Sequence, residues 1–172
     1  MKKQGFTLIE LLVAIAIMAV IMALAFPNYL SARERARDTK LKAEMNGLKN
    51  ALRLYYNDYQ RYPAVGIGAA SGKIAGCGTD GTEDCPNTGT CASYEFSAGG
   101  TSGCDMIYMK KMPVSTANSG EMRYVQTSND GFSICAFLEN LSDADGAASI
   151  TKCTLTVSVS GSPKNPYCVC AD

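Results

Sequence analysis

The residues best suited to chemistry in this chain are eight cysteines, all of which follow residue 76. Thiols in such numbers either form disulfides or bind a metal ion. No two of them form a Cys-x-x-Cys pair and the chain has no histidine, so zinc is the weaker interpretation. We therefore expect disulfides, without a choice of pairing except that Cys168 and Cys170 are too close along an extended strand to join each other. The candidates are Cys77, Cys85, Cys91, Cys104, Cys135, Cys153, Cys168 and Cys170.

Nothing else in the sequence suggests catalysis or cofactor binding. Histidine, the commonest general acid and base, is missing, and neither a P-loop nor a Gly-x-Gly-x-x-Gly stretch occurs. The formal net charge is zero, which gives no footprint for nucleic acid. The acidic stretches at 78–84 and 142–149 lack the full calcium-loop pattern and are interpreted as turns. We expect a non-enzymatic protein with no metal and no cofactor.

Glu10 is the one charged residue in an apolar run from Phe6 to Phe26. At 1.5 Å per residue, this run spans roughly 30 Å as a helix, which matches the hydrocarbon core of a bilayer. A cleaved signal peptide would have a shorter apolar region that ends at a small-residue cleavage site. The sequence therefore favours a permanent membrane helix.

The run continues into a second helical pattern. Pro27 lacks an amide hydrogen, so a kink or loosening is expected near residues 23–27. Beyond it an apolar stripe with helical spacing predicts that one nearly continuous helix extends to about residue 61, before the Tyr62-Pro63 pair. The stripe consists of Leu41, Met45, Leu48, Leu52, Tyr55 and Tyr59, whereas Lys42, Glu44, Lys49, Arg53 and Asp58 lie off it and are expected to be solvated.

After residue 106 the apolar period changes to two, which is typical of strands. The segments 122–127 and 132–138 alternate about a Ser-Asn-Asp-Gly turn, segment 154–160 alternates cleanly, and segment 107–111 is weaker. Cys135 and Cys153 are expected within strands. The fold predicted is α+β, with a long helix whose stripe, tyrosines included, packs on an antiparallel sheet of about four strands.

The basic residues at the two ends of the apolar run predict opposite orientations in the membrane. Lys2 and Lys3 favour a cytoplasmic N-terminus, but five cations between residues 33 and 42 follow the other end. The downstream cysteines favour an oxidising compartment for residues 27–172. We therefore interpret the N-terminus as cytoplasmic.

The first 60 residues closely resemble the type IV pilin family, which includes the pseudopilins of type II secretion. The matching features are a short basic leader ending in Gly5, the stretch Phe-Thr-Leu-Ile-Glu at 6–10, and an apolar run closing at Pro27-Asn28. The resemblance implies that a prepilin peptidase cleaves between Gly5 and Phe6 and methylates the new amino group of Phe6. It also implies storage in the inner membrane and polymerisation by an assembly platform into a helical filament of identical subunits.

On this basis the chain divides into a leader (1–5), a membrane and filament-core helix (6–27), an amphipathic half of the helix (28–62) and a Cys-rich sheet domain (63–172). Glu10, Thr7 and Pro27 are the expected assembly residues, with the carboxylate of Glu10 pairing with the Phe6 amino group of a neighbouring copy. The expected function is a type IV pilus subunit at the cell surface. The alternatives are a periplasmic pseudopilin and a monomeric binding domain on a membrane anchor.

Overall fold

A 52-residue helix dominates the computed structural model, which describes residues 6–66, 73–85, 95–113, 122–153 and 165–171. This helix, α1, spans Leu8–Tyr59 and is about 80 Å long at 1.5 Å per residue. Thr7 caps its N-terminus, and Gln60 ends it in the left-handed region with φ 54° while donating its amide hydrogen to the Tyr56 carbonyl. The long helix predicted from the sequence is confirmed, with its end two residues earlier than expected.

The two halves of α1 have opposite surroundings. The described side chains before residue 31, which exclude residue 27, are exposed all round the helix, whereas the second half presents a buried face to the rest of the protein. Five of the six stripe residues are buried, together with Ala51, and Tyr59 is partly buried. The prediction of a solvated Lys49 is wrong, because its side chain lies at the margin of this face and is only 9% exposed.

In the described residues, eight short strands form three antiparallel sheets, in the orders β1-β2-β3, β4-β5 and β6-β7-β8. The first two sheets come from residues 64–109, and β6 and β7 form a hairpin. The strands are β1 Ala64–Val65, β2 Ile74–Cys77, β3 Glu83–Asp84, β4 Phe96–Ala98, β5 Met106–Met109, β6 Arg123–Ser128, β7 Gly131–Leu138 and β8 Asn165–Cys170.

The α+β class and the central hairpin are therefore confirmed. The largest sheet has three strands in the described part of the chain rather than about four, because the segment predicted at 107–111 pairs with β4 in a separate sheet. The strand predicted at 154–160 lies outside the described residues. The strand β8 was not predicted, since Pro166 and two cysteines interrupt the alternation that marks a strand.

A second helix, α2 (Ala144–Cys153), occupies part of the segment interpreted as an acidic turn. The expectation that Cys153 lies in a strand is wrong, because it is the last residue of α2. This helix covers the open edge of β8, where the Cys168 amide donates to the Ser149 hydroxyl at 2.9 Å. The interpretation failed because these ten residues include three alanines, a glycine and only one large aliphatic residue, so the sequence shows no clear apolar stripe.

Aromatic rings fill the core between α1 and the sheets. Tyr55 stacks on Tyr59 with 4.4 Å between ring centroids and also contacts Phe96 and Tyr108. The buried hydroxyl of Tyr55 donates to the Gly81 carbonyl at 2.7 Å, and that of Tyr124 to the Pro63 carbonyl at 2.6 Å. The tyrosines thus pack against the sheets with their hydroxyl groups satisfied, as expected for core residues.

Candidate assembly surface

The first half of α1 is a large apolar surface that the rest of the described chain leaves uncovered. Its side chains at residues 6–26 and 28–30 are exposed, and the helix contains an apolar stretch long enough to cross a membrane. Monomeric soluble proteins rarely expose contiguous apolar patches of this size. This half of α1 therefore requires lipid or other protein around it.

At the start of this surface Glu10 and Thr7 form a capping box. The Glu10 carboxylate accepts hydrogen bonds from the Thr7 amide at 2.9 Å and the Thr7 hydroxyl at 2.7 Å. The Thr7 hydroxyl oxygen in turn accepts the Glu10 amide at 3.4 Å. The box holds the carboxylate at the positive end of the helix dipole, where a negative charge is stabilised.

The carboxylate of Glu10 still has capacity for a further partner. An ionised carboxylate offers about four lone-pair positions, and the two hydrogen bonds from Thr7 both reach one oxygen, Oε2. Sequence reasoning singled out Thr7 without assigning it this role. The signal was available, because Thr-x-x-Glu before an apolar run is the sequence signature of a capping box.

The second half of α1 is fixed to the rest of the protein by a polar cluster, which we call the clamp. It consists of Arg37, Asp38 and Lys42 on α1 and of Glu139, Asn140, Asp143 and Asp145 between β7 and the first turn of α2. The Arg37 guanidinium donates to both carboxylate oxygens of Glu139, from Nε to Oε1 at 2.8 Å and from Nη2 to Oε2. This bidentate geometry is the strong form of an ion pair.

Asp38 is the buried member of the clamp, with 2% of its surface exposed. Its two carboxylate oxygens accept the amide hydrogens of Glu139 and Asn140, each at 2.8 Å. A buried charge is costly unless hydrogen bonds satisfy it, and here both oxygens have a donor. Asp38 therefore stabilises the chain where it leaves β7.

Lys42 completes the clamp between two acids. Its Nζ lies 2.7 Å from Asp143 Oδ2 and 2.7 Å from Asp145 Oδ2. Burial lowers the pKa of Lys42, but the hydrogen bonds to these acids outweigh it, so the pKa is raised overall. The hydrogen bond from Lys42 lowers the pKa of Asp143, and that from Arg37 lowers the pKa of Glu139. Lys42 thus supplies a positive charge to the acidic segment 142–149. The described residues contain no group of three or more acidic, cysteine or histidine side chains that could hold a metal ion.

Comparison with known proteins finds matches for the N-terminal segment of the chain. A family model described as the prokaryotic N-terminal methylation motif matches residues 1–26. A type IV wide pilus major component of Thermus thermophilus is 46% identical over 59 residues, which cover 34% of this chain and 45% of that protein. The N-terminal segment is that of the type IV pilin and pseudopilin family.

Other relatives of this pilin-like segment come from both branches of the family. A type II secretion system core protein G of Escherichia coli is 37% identical over 70 residues, which cover 41% of this chain and 48% of that protein. A type IV major pilin of Myxococcus xanthus is 31% identical over 61 residues, which cover 36% of this chain and 28% of that protein. The chain spans less than half the length of these relatives, and no solved structure matches it.

The remaining residues expected to act in a pilin-like segment are placed as follows. Phe6 is 87% exposed at the start of α1, whereas Gly5 lies outside the described residues. Residue 27 lies within α1, and the helix continues without interruption through residues 23–27.

Disulfides fix the part of the protein that follows the pilin-like segment. Cys77 joins Cys85 across β2 and β3, Cys135 joins Cys168 across β7 and β8, and Cys153 joins Cys170, which ties α2 to β8. Cys104 is disulfide-bonded as well, and Cys91 lies outside the described residues. Cys168 and Cys170 are two residues apart on β8 and do not join each other, and each pairs with a cysteine farther away along the chain.

Proposed function

We propose that this chain is the structural, non-enzymatic subunit of a type IV pilus. The observation that carries the proposal is the uncovered apolar half of α1, which is continuous with a second half clamped to a disulfide-bonded domain. Such a helix is suited to two environments in turn. Lipid surrounds it while the subunit is stored in the inner membrane, and the helices of other copies surround it in the filament.

In this proposal processing creates the partner of Glu10. Prepilin peptidase cleaves between Gly5 and Phe6 and methylates the Phe6 amino group, and the assembly platform then adds the subunit to the filament. A carboxylate near the bilayer centre costs about 2.5 to 3.5 kcal/mol, and less near an end. The hydrogen bonds from Thr7 reduce that cost during storage, and the Phe6 amino group of a neighbouring copy pairs with the carboxylate on assembly. Because apolar faces pack without direction, this charge pair would fix the axial register. Pro27 would allow the helix to loosen in the filament.

A type II secretion pseudopilin is the second candidate. The favouring observation is that core protein G relatives match the N-terminal segment over a similar length, at 36 to 37% identity. In that case the filament would remain in the periplasm instead of reaching the cell surface. The resemblance implies that pseudopilins often carry a calcium loop. Lys42 lies between Asp143 and Asp145 and already neutralises these acids, which supports the pilus.

Substitution of Glu10 tests the pairing step. Glu10→Gln keeps an oxygen that can accept from Thr7 but removes the charge, so the subunit should be cleaved and membrane-resident yet absent from sheared filaments. Glu44→Ala is the control, since this acid on α1 has only a 3.7 Å ion pair with Lys40 and should assemble normally. Filament yield is measured in the sheared surface fraction. Normal yield from Glu10→Gln would contradict the charge pair.

Intact-mass analysis of the sheared surface fraction tests the function itself. The expected mass lacks residues 1–5, carries one added methyl group and lacks eight hydrogens, because eight cysteines form four disulfides. Recovery of the mature chain only from the periplasmic side would favour the pseudopilin. An unprocessed chain found only as a monomer would contradict both filament proposals.

A further inference from the structure

The exposed side chains that follow the apolar run on α1 include one aromatic residue and two arginines: Tyr29, Arg33 and Arg35. Because α1 continues as one helix, Arg33 lies about 10 Å beyond Phe26 along the axis and Arg35 about 14 Å beyond it. Tyr29 and Arg33 are four residues apart and therefore share a face of the helix. Each interfacial layer of a bilayer is roughly 5 to 8 Å thick, so the flexible side chain of Arg33 reaches it directly.

Among the described residues, the more distant cations between residues 33 and 42 form ion pairs, whereas Arg33 and Arg35 do not. Arg37 binds Glu139, Lys42 binds Asp143 and Asp145, and Lys40 faces Glu44 at 3.7 Å. Neither Arg33 nor Arg35 forms an ion pair within the described part of the chain. The nearby acids are Glu34, which is partly buried, Asp38, whose two oxygens accept backbone amides, and Glu139, which Arg37 binds and whose pKa Arg33 lowers only through its charge. Of the five cations between residues 33 and 42, the two without an ion pair to a described residue are therefore the two nearest the apolar run.

We propose that Arg33 and Arg35, together with Tyr29, bind the phosphates of anionic phospholipid headgroups where α1 leaves the bilayer. A guanidinium binds phosphate through two parallel hydrogen bonds, and an aromatic ring with a hydroxyl group is suited to the headgroup layer. A basic residue near an anionic surface strengthens binding about fivefold. The inference rests on the membrane storage of the proposed function and adds a lipid class to it.

This contact would set the depth of the stored subunit. The apolar run has no polar residue between Glu10 and Pro27, so lipid alone defines its position along the bilayer normal only loosely. Headgroup binding at the far end would hold the Glu10 end at a fixed level. The subunits would then be stored with their N-termini in one plane.

Fluorescence energy transfer tests the proposal, because the chain has no tryptophan. Phe26→Trp introduces a single donor at the expected interface. The full chain is reconstituted in phosphatidylcholine vesicles that contain a minor fraction of phosphatidylglycerol, with a dansyl label on one lipid or the other. Transfer to labelled phosphatidylglycerol should exceed transfer to labelled phosphatidylcholine, by up to about fivefold per arginine, and should weaken as ionic strength rises.

Two double variants, each of which removes two positive charges, serve as the test and its control. Arg33→Gln with Arg35→Gln should abolish the preference for phosphatidylglycerol, whereas Lys40→Gln with Lys110→Gln should leave it unchanged. Equal transfer to both lipids in the parent, or an equal loss in both double variants, would overturn the proposal. Competition by inorganic phosphate at constant ionic strength would also overturn it, because the site would then bind a free anion. Failure of the parent to float with the vesicles would instead contradict membrane storage and so the proposed function.

Discussion

Two acids on α1 are stabilised by hydrogen bonds in different surroundings. Glu10 lies on an uncovered surface, where Thr7 satisfies one of its oxygens and the carboxylate keeps room for a cation. Asp38 is buried, and two backbone amides satisfy both of its oxygens. The first arrangement is suited to a contact that forms later, and the second to a contact that is permanent.

The permanent role of Asp38 gives a prediction at the scale of one residue. Asp38→Ala leaves the partly buried amides of Glu139 and Asn140 without their acceptors, so the free energy of unfolding should fall by about 1 to 3 kcal/mol. Asp38→Asn keeps one acceptor oxygen and should lose less. Thermal unfolding of the oxidised chain in detergent measures both. Equal losses from the two variants would show that the charge, and not the pair of acceptors, matters.

At the scale of elements, the clamp makes the attachment of α1 sensitive to acid. The pKa values of Glu139 and Asp143 are lowered by Arg37 and Lys42, from ordinary values of 4.5 and 3.8. A lowered pKa contributes stability that is fully present above the ordinary value and is lost as pH falls through the folded value. The clamp should therefore weaken below about pH 4 and be intact at neutral pH.

Melting temperatures between neutral pH and about pH 3 check this. The double variant Glu139→Gln with Asp143→Asn should show a smaller acid-induced fall than the parent. Asp105→Asn, which removes an exposed acid outside the clamp, should follow the parent. If the double variant loses as much on acidification as the parent, the acid sensitivity lies elsewhere.

The contact between α2 and β8 gives a second prediction at this scale. A methyl group on Gly146 would overlap the side-chain oxygen of Asn165 and lie 3.0 Å from the Pro166 carbonyl oxygen. Asn165 has little freedom to move, because its amide group donates to the carbonyls of Asn140 and Asp143. Gly146→Ala should therefore destabilise the protein by about 1 to 3 kcal/mol, although alanine favours a helix.

Gly47→Ala is the matched control within α1. Its added methyl group would lie 3.5 Å from the Met109 methyl carbon, which is an ordinary contact. This variant should stabilise the protein by up to about 1 kcal/mol through helix propensity. Thermal unfolding of both variants is the measurement. A gain in stability from Gly146→Ala would mean that α2 does not pack against β8 as closely as described.

At the scale of the whole molecule, the disulfides compensate for short strands and small sheets. The bonds Cys77–Cys85, Cys153–Cys170 and Cys135–Cys168 have sequence separations of 8, 17 and 33. In the loop-entropy model their removal costs about 2.5, 3 and 3.5 to 4 kcal/mol respectively. In thermal unfolding of paired Cys→Ser variants, loss of Cys77–Cys85 should therefore destabilise the protein least and loss of Cys135–Cys168 most. The reverse order would show that native contacts, and not loop closure, dominate.

The sequence by itself determined the long helix, its apolar first half, the stripe on its second half and the β6–β7 hairpin. Each rests on a local repeat of 3.6 or 2 residues, or on a short turn signal, which neighbouring residues alone establish. The capping box was equally readable from Thr7 and Glu10.

Only the tertiary structure decided how these elements are joined. The clamp brings Arg37, Asp38 and Lys42 to residues about 100 positions later, and no local pattern encodes such a pair. The burial of Lys49 and the pairing of Cys153 with Cys170 likewise depend on which surfaces meet. The helix α2 and the strand β8 were missed because each is stabilised chiefly by the other, through Ser149, Asn165 and a disulfide. Local periodicity therefore determines elements, whereas long-range packing and pairing determine their arrangement.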